Sequence, residues 1–201
     1  MVIGLIILTG LIAYLIISIV IIYLGVQIAK RVKKPGWKIG VLTAMVMYLL
    51  LFWDLIPFHV AHKYYCETEG GYSAYKTLNE WKDENLEVAS TPKPVEKFNF
   101  EQNSNKKKYL MNQRFAWEIT TTNLFLDIQK RDNRIIDTKN NELMAQYIDF
   151  NSNQNTRNPK KFRDLKLWIN VDSCESSSYK PNEEAFYKDK YVFKYMREHK
   201  Q

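Results

Sequence analysis

The chain has 201 residues, and its 29 Lys and Arg against 22 Asp and Glu give a formal net charge of +7. Five of the basic residues lie in one short loop at residues 30–38, so residues 62–201 carry 24 basic and 21 acidic side chains. So balanced a charge excludes the basic surface that nucleic-acid binding requires. No glycine follows Gly71, which excludes glycine-rich phosphate or dinucleotide loops from the rest of the chain.

Two apolar runs dominate the N-terminal third of the sequence. Residues 1–29 contain no charged side chain, and residues 39–60 contain only Asp54. A helix crosses a bilayer core of about 30 Å with roughly 20 apolar residues. We therefore predict a membrane hairpin of two transmembrane helices over residues 1–61. The alternative for the first run is a cleaved signal peptide, but the run lacks a basic start and is about twice as long as the usual apolar core.

The loop at residues 30–38 predicts the orientation of this hairpin. It has five basic residues and no acidic one, and basic residues beside a span tend to remain in the cytoplasm. We predict a cytoplasmic loop and both termini in the periplasm, in a multi-pass protein of a bacterial inner membrane. The bacterial origin is favoured by sixteen asparagines without one Asn-x-Ser/Thr glycosylation acceptor.

The two cysteines, Cys66 and Cys174, both fall on the predicted outer side of the membrane. An extracytoplasmic compartment is oxidising, and a bond closing so long a loop stabilises a fold by about 3–5 kcal/mol in the entropic account. We predict a disulfide between them. Two buried free thiols are the alternative.

Residues 62–201 are long enough for one ectodomain, which we predict to be α+β. Polarity alternates with period two over residues 114–150 and again over 165–171, which predicts an antiparallel meander and a further strand. Turns are predicted at the Asp-Asn pair 132–133 and the Asn-Asn pair 140–141, because these residues tolerate left-handed backbone. The alternation includes Phe115, Trp117, Ile119, Leu124, Leu126 and Ile128.

Two helices are predicted in the ectodomain. Thr77 and Glu80 have the spacing of a capping box, in which a hydroxyl and a carboxylate satisfy free N–H groups, so a helix is expected over about 77–87. Residues 181–198 have acidic side chains at the start and basic ones at the end, as the helix dipole favours. Their aromatic residues also alternate in a way that suits a strand, and both structures stay open.

His59, His62 and Cys66 lie at i, i+3 and i+7 and would share one face of a continuing helix. Imidazole and thiolate are good ligands for zinc or copper, but a site needs a fourth ligand, and Cys66 would have to give up its disulfide. We therefore predict interfacial histidines beside a structural cystine, with no metal ion and no other cofactor.

No catalytic residues are predicted. Ser73 and Lys76, like Ser177 and Lys180, have the Ser-x-x-Lys spacing of a lysine-activated serine, but the companion motifs of penicillin-recognising enzymes are absent. Asp54 is the one charged residue within the apolar runs and is costly there. It is expected to face water, to cap the chain beside a proline, or to pair with a partner.

A short string around the first cysteine resembles one found in small, functionally uncharacterised membrane-anchored envelope proteins of bacteria. The resemblance covers about fourteen residues. It implies no activity, agrees with an envelope location, and implies a turn just after the cysteine. The matching residues are Tyr64, Tyr65, Cys66, Glu67, Thr68, Glu69, Gly70 and Gly71, followed by Tyr75, Lys76 and Thr77.

The sequence favours a non-enzymatic binding or accessory protein, anchored in the inner membrane with an extracytoplasmic domain. Its expected partners are the lipid bilayer and another envelope protein, oligomers are allowed, and exposed aromatic residues within 187–195 are the expected contact surface. One alternative is a membrane-tethered enzyme acting on an envelope substrate, which a cluster of acidic, His or Ser side chains in a deep pocket would favour. Another is a small transport or signalling subunit.

Overall fold

The computed structural model describes residues 2–95, 100–103, 105–154, 161–171, 173–174 and 180–197. Its helices are α1 (Val2–Arg31), α2 (Gly36–Phe52), α3 (Leu55–Thr68), α4 (Leu78–Glu84) and α5 (Lys180–Tyr195). Its strands are β1 (Gly71–Ala74), β2 (Phe100–Gln102), β3 (Lys106–Leu110), β4 (Phe115–Asn123), β5 (Ile128–Asp137) and β6 (Leu143–Ser152).

The chain divides into two compact units, and the first is discontinuous in sequence. Its described part comprises residues 2–57 and 161–168, whereas the second unit holds the described residues of 58–155 and of 169–201. The division into two domains at residues 61 and 62 stays a prediction.

In the first unit, α1 and α2 run antiparallel in close contact. A Cβ atom added to Gly40 would lie 2.9 Å from Val26 Cγ2, and one added to Gly25 would lie 3.2 Å from Thr43 Oγ1. Small residues let apolar helices approach in this way. The hydroxyl of Tyr14 on α1 also donates a hydrogen bond to the main-chain carbonyl of Met47 on α2.

Only part of the predicted membrane hairpin is found. α1 contains a candidate span at Ile7–Arg31, whereas α2 has 17 residues and meets the length and composition criteria for a span only together with α3. The uninterrupted second span predicted over residues 39–60 is therefore wrong. The chain leaves the helix at Trp53 and Asp54, because Pro57 has no N–H for the Trp53 carbonyl and its ring crowds that carbonyl.

The second unit is built on an antiparallel sheet with the strand order β1-β6-β5-β4-β3-β2. The run from β3 to β6 is a meander of neighbouring strands, which confirms the predicted antiparallel sheet, and β1 joins it at the free edge of β6. The loop between β5 and β6 contains the predicted 140–141 turn, with Asn141 at φ 57°.

The predicted turn at residues 132–133 is wrong, since both residues lie within β5. Their polar groups are satisfied across the sheet: Gln146 donates to the Asp132 carboxylate at 2.8 Å, and the Asn133 amide donates to the Tyr147 carbonyl at 3.4 Å. The chain reverses earlier, between β4 and β5, with Leu126 at φ 58°. The predicted alternation through residues 124–128 is therefore interrupted by a 3-10 turn at Phe125–Asp127.

The further strand predicted over residues 165–171 is also wrong, because this segment forms 3-10 turns at Phe162–Leu165 and Leu167–Ile169. Asp164 closes the first turn by accepting the Lys161 main-chain N–H at 3.0 Å. Such local bonds compete with a strand ladder.

The predicted helices are found. Thr77 caps α4 in a capping box with Glu80, and residues 181–195 belong to α5 rather than to a strand. Phe186 and Phe193 lie seven residues apart on one face of α5 and are 1% exposed. The face of the sheet that carries Phe115 and Ile135 packs against α4 and α5. The core comprises Leu78, Trp81, Met111, Phe115, Ile135, Met144, Ala145, Tyr147, Phe186 and Phe193.

Candidate functional site: a polar cleft beside α5

A cleft of about 190 Å³ opens in the second unit on the sheet face that also carries the core. Side chains at alternate positions of a strand point to the same face, and residues of β3 to β6 at such positions line it. The strand register sets them in rows: Arg131 lies opposite Thr121 and Asp149, and Asn133 lies opposite Ile119 and Tyr147. Glu183 and Tyr187, from the first two turns of α5, complete the lining.

The floor of the cleft is polar and buried. Asn133, Tyr147 and Asp149 are each at most 7% exposed. One Asp149 oxygen accepts the main-chain N–H of Cys174 at 2.9 Å. Burial raises the pKa of Asp149, and the nearby Glu183 raises it further, whereas the hydrogen bond from Cys174 and the charge of Arg131 act in the opposite direction. The hydrogen bonds and the nearby positive charge therefore do not fully offset the cost of burying the ionised form of Asp149.

The rim of the cleft is exposed and carries both signs of charge. Lys107, Arg131 and Glu183 are exposed, and within the described ranges none of them has an oppositely charged partner within 4.0 Å. Arg134, by contrast, points to the opposite face of β5 and pairs with Asp132 at 2.6 Å. The charges at the rim are thus free to contact a ligand.

Aromatic rings form one wall of the cleft. Trp117 stacks on Tyr109 with 5.1 Å between ring centroids, and the Lys190 ammonium lies 3.3 Å from the Trp117 centroid. Both groups therefore pack on the indole ring. Burial lowers the pKa of Lys190 to about 8, while the contact with the ring favours the charged form. The indole N–H is buried and has no hydrogen-bond acceptor among the residues described. Tyr187 is 47% exposed at the mouth.

A second cavity, of about 320 Å³, lies in the first unit between α1, the end of α2 and residues 165–168. Its lining is almost entirely apolar, with Lys166 as the charged exception, and the Lys166 ammonium is already paired with Asp54. Apolar walls without convergent polar groups provide little specificity. The smaller polar cleft is therefore the stronger candidate for selective recognition.

The predicted disulfide is present between Cys66 and Cys174, whose Cα atoms lie 5.6 Å apart. It joins α3 to the chain that precedes α5. Because the Cys174 N–H is bonded to Asp149, the same cystine supports the floor of the cleft.

The two histidines of the weak metal candidate lie in different surroundings. His62 lies against the cystine, with its Nε2 atom 3.7 Å from Cys66 Sγ and 3.0 Å from the Phe150 carbonyl oxygen. His59 makes an edge-on ring contact with Phe58. Ligand atoms of His62, Cys66 and Cys174 lie within 4.8 Å of one another, but both sulfurs are in the disulfide and are not thiolates.

Asp54 is buried and paired with other side chains. It is 5% exposed, pairs with the Lys166 ammonium, and accepts the Trp168 indole N–H at 3.0 Å. Trp168 in turn packs on Phe52, with 4.7 Å between ring centroids. Of the three roles expected for Asp54, pairing is therefore the one observed.

The Ser-x-x-Lys spacing at residues 73–76 does not produce an activated serine. The Lys76 ammonium is paired with Glu142 and Glu84, and hydrogen bonds to these carboxylates raise its pKa. A neutral lysine is needed to act as a base. The second match, Ser177 with Lys180, lies outside the side chains that the structure describes.

Sequence reasoning did not single out the charged residues of the cleft. A signal was present, because Arg131 and Asp149 stand at inward positions of strands that otherwise turn Ile135 and Ala145 to the core. A charged residue at such a position conflicts with burial and indicates a site. Comparisons with models of protein families, with curated proteins and with solved structures find no match for this chain.

Proposed function

We propose that this protein is a bacterial inner-membrane binding protein whose second unit lies outside the cytoplasm and holds a small polar ligand, or a polar group of an envelope component, in the cleft beside α5. The observation that carries the proposal is the set of charges around the cleft. Lys107, Arg131 and Glu183 surround a buried polar floor and lack ion-pair partners in the described chain.

The charges argue for binding because the surrounding surface is organised differently. Several charged side chains on the opposite face of the sheet are paired, as in Arg134 with Asp132 or Lys106 with Glu118. A concave site with a few convergent polar groups is the usual form of a ligand site. The exposed ring of Tyr187 at the mouth agrees with the expectation that aromatic residues within 187–195 contact the partner.

The proposed membrane topology has its own support. The basic loop at residues 30–38 lies at one end of the α1–α2 pair, and Asp54, with its partners Lys166 and Trp168, lies beyond the other end. Residues 161–168, which belong to the first unit, therefore lie at the end of the α1–α2 pair that is far from the basic loop. This arrangement favours a cytoplasmic loop and periplasmic termini.

A membrane-tethered enzyme is the second candidate, favoured by Asp149. A carboxyl group with a raised pKa in a cleft, close to the carboxylate Glu183, is a common arrangement for general acid and base catalysis. The two candidates differ in the fate of the ligand. Mass spectrometry after incubation with the full-length protein should recover a bound ligand unchanged if the protein only binds, and converted if it is an enzyme.

The test of the binding proposal uses the full-length protein in mild detergent. Thermal unfolding is followed with a panel of small cations, anions, zwitterions and neutral sugars. At least one class should raise the melting temperature of the wild type and of Arg134→Ala, and should fail to raise that of Arg131→Ala or of Glu183→Gln. If no compound acts through the cleft, the binding proposal is wrong.

A further inference from the structure

We propose that the cleft selects a small zwitterion, with its ammonium group held by Asp149 and Glu183 and its anionic oxygens held by Arg131 and Lys107. This inference rests on the proposed binding function and specifies the chemistry of the ligand. It follows from the composition of the lining, which contains two basic and two acidic side chains around one small cavity.

The basic half of the cleft suits a carboxylate or a phosphate. Arg131 presents a planar guanidinium whose parallel N–H groups match two oxygens of such an anion. Lys107 adds a second positive charge from β3, two strands away. Both side chains are exposed, so neither needs to move out of a buried position to reach an incoming anion.

The acidic half suits an ammonium group. The Cys174 N–H occupies one oxygen of Asp149, and a carboxylate can accept further hydrogen bonds. Glu183 stands close enough to raise the pKa of Asp149, so a cation bound between them would relieve their mutual repulsion. An ammonium group has three N–H donors and can serve both carboxylates at once.

Ligands with one charge or none fit this lining less well. A simple anion makes no use of Asp149 and Glu183, and a simple cation makes no use of Arg131 and Lys107. A neutral sugar can stack on the exposed ring of Tyr187, but it carries no charge to match the two basic and two acidic side chains of the lining. Each of these ligands would therefore leave some charged side chains of the lining without a contact.

The size of the cleft limits the ligand further. Its volume of about 190 Å³ is below the range of about 300–1,000 Å³ of sites for drug-sized molecules. A free amino acid has the required pair of charges and a small body. A phosphoethanolamine headgroup presents the same chemistry from a lipid, and the two sources can be separated by experiment.

The experiment is calorimetric titration of the full-length protein in detergent at pH 7. L-alanine and O-phosphoethanolamine are the zwitterionic probes, and ethylamine, acetate, inorganic phosphate and glucose are the comparison compounds. We expect at least one zwitterion to bind tenfold or more tightly than every comparison compound. Binding of L-alanine indicates a free amino acid or peptide end, and binding of O-phosphoethanolamine alone indicates a lipid headgroup.

Matched variants assign the binding to the cleft. Arg131→Ala and Glu183→Gln should each weaken zwitterion binding at least tenfold, while the neighbouring Arg134→Ala and Glu184→Gln should leave it unchanged. All four positions are exposed, so the variants are expected to fold. Zwitterion binding that survives both cleft substitutions would overturn the inference.

The remaining outcomes separate this inference from the function on which it rests. Cleft-dependent binding of ethylamine, acetate, phosphate or glucose in preference to both zwitterions overturns the zwitterion and leaves the binding function intact. If none of the probes binds, the zwitterion is again refuted, and the wider thermal panel decides whether the cleft binds anything.

Discussion

The Trp168 indole N–H donates a hydrogen bond of 3.0 Å to the Asp54 carboxylate, which also pairs with Lys166. The Asp54 and Lys166 side chains are 8% and 12% exposed, so the pair lies in a largely dry environment. This contact holds residues 161–168 against the end of α2 within the first unit. Asp54, the one acidic residue of the apolar runs, therefore has a structural role in the first unit.

Lys166→Ala should destabilise the first unit by roughly 2–4 kcal/mol, because it leaves a buried carboxylate without its counter-charge. Combining it with Asp54→Asn should recover part of this loss, and a double-mutant cycle from denaturant unfolding in detergent measures the coupling. Lys63→Ala, which removes an exposed pair with Glu67, is the control and should change little. Additive effects of the two substitutions would contradict a direct pair.

Gly40→Leu should disturb the contact between α1 and α2, since an added Cβ already lies 2.9 Å from Val26 Cγ2. Overpacking of this kind costs about 1–3 kcal/mol, and the melting temperature in detergent should fall. Gly4→Leu is the matched control, because no atom of the described part of the chain lies within 4 Å of a Cβ at that position. Equal melting temperatures for the two variants would show that close packing at Gly40 is unimportant.

Reduction should expose two thiols, from Cys66 and Cys174. Alkylation of the denatured, unreduced protein should add no label, whereas alkylation after reduction should add two. Cys66→Ala and Cys174→Ala should destabilise the second unit to similar extents, by about 3–5 kcal/mol, because either removes the same cross-link over 108 residues. Two labelled thiols without reduction would refute the bond and leave His62 beside two possible thiolate ligands.

Asp149 should give the stability of the second unit a distinctive pH dependence. Burial raises the folded-state pKa of this group above its ordinary 3.8, so the folded state binds the proton more tightly than the unfolded state. Its contribution to the free energy of unfolding is largest below pH 3.8 and is lost as the pH rises through the folded-state pKa. Asp149→Asn should remove this slope, as urea unfolding between pH 3 and pH 7 would measure.

The exposed residue Asp83 provides the control for that measurement. Asp83→Asn should preserve the slope of the wild type. A wild-type slope unchanged by Asp149→Asn would assign the pH dependence to other groups. Ligand binding should change in the opposite sense to stability, since an ammonium group binds the ionised carboxyl and its affinity should increase as Asp149 deprotonates.

The proposed orientation can be tested with a reporter that is active only outside the cytoplasm. It should work when fused after Gln201 and fail when inserted near Gly36, because the five basic residues of the loop favour the cytoplasm. A reporter active only in the cytoplasm should give the reverse pattern and serves as the control. Activity of the external reporter at Gly36 would overturn the topology.

Local patterns determined most of the secondary structure of this protein. The apolar run that forms α1, the Thr77 capping box and the alternation of β4 each depend on residues close in sequence, so the sequence alone predicted them. Predictions from local patterns were wrong where hydrogen bonds to distant residues satisfied the same polar groups. The Asp-Asn pair at 132–133 has the composition of a turn, but hydrogen bonds with the neighbouring strand β6 satisfy its polar groups.

Only the tertiary structure decided where the chemistry lies. Asp54 meets Trp168 across 114 residues of sequence, and no local pattern encodes that pairing. The cleft likewise requires the register that sets Arg131 opposite Asp149 and the packing that brings Glu183 from α5 beside them. Periodicity tells which face of an element is buried, whereas the choice of partner depends on packing between distant segments. For this reason the sequence predicted the apolar helix α1 and the antiparallel sheet, and the site emerged only from the fold.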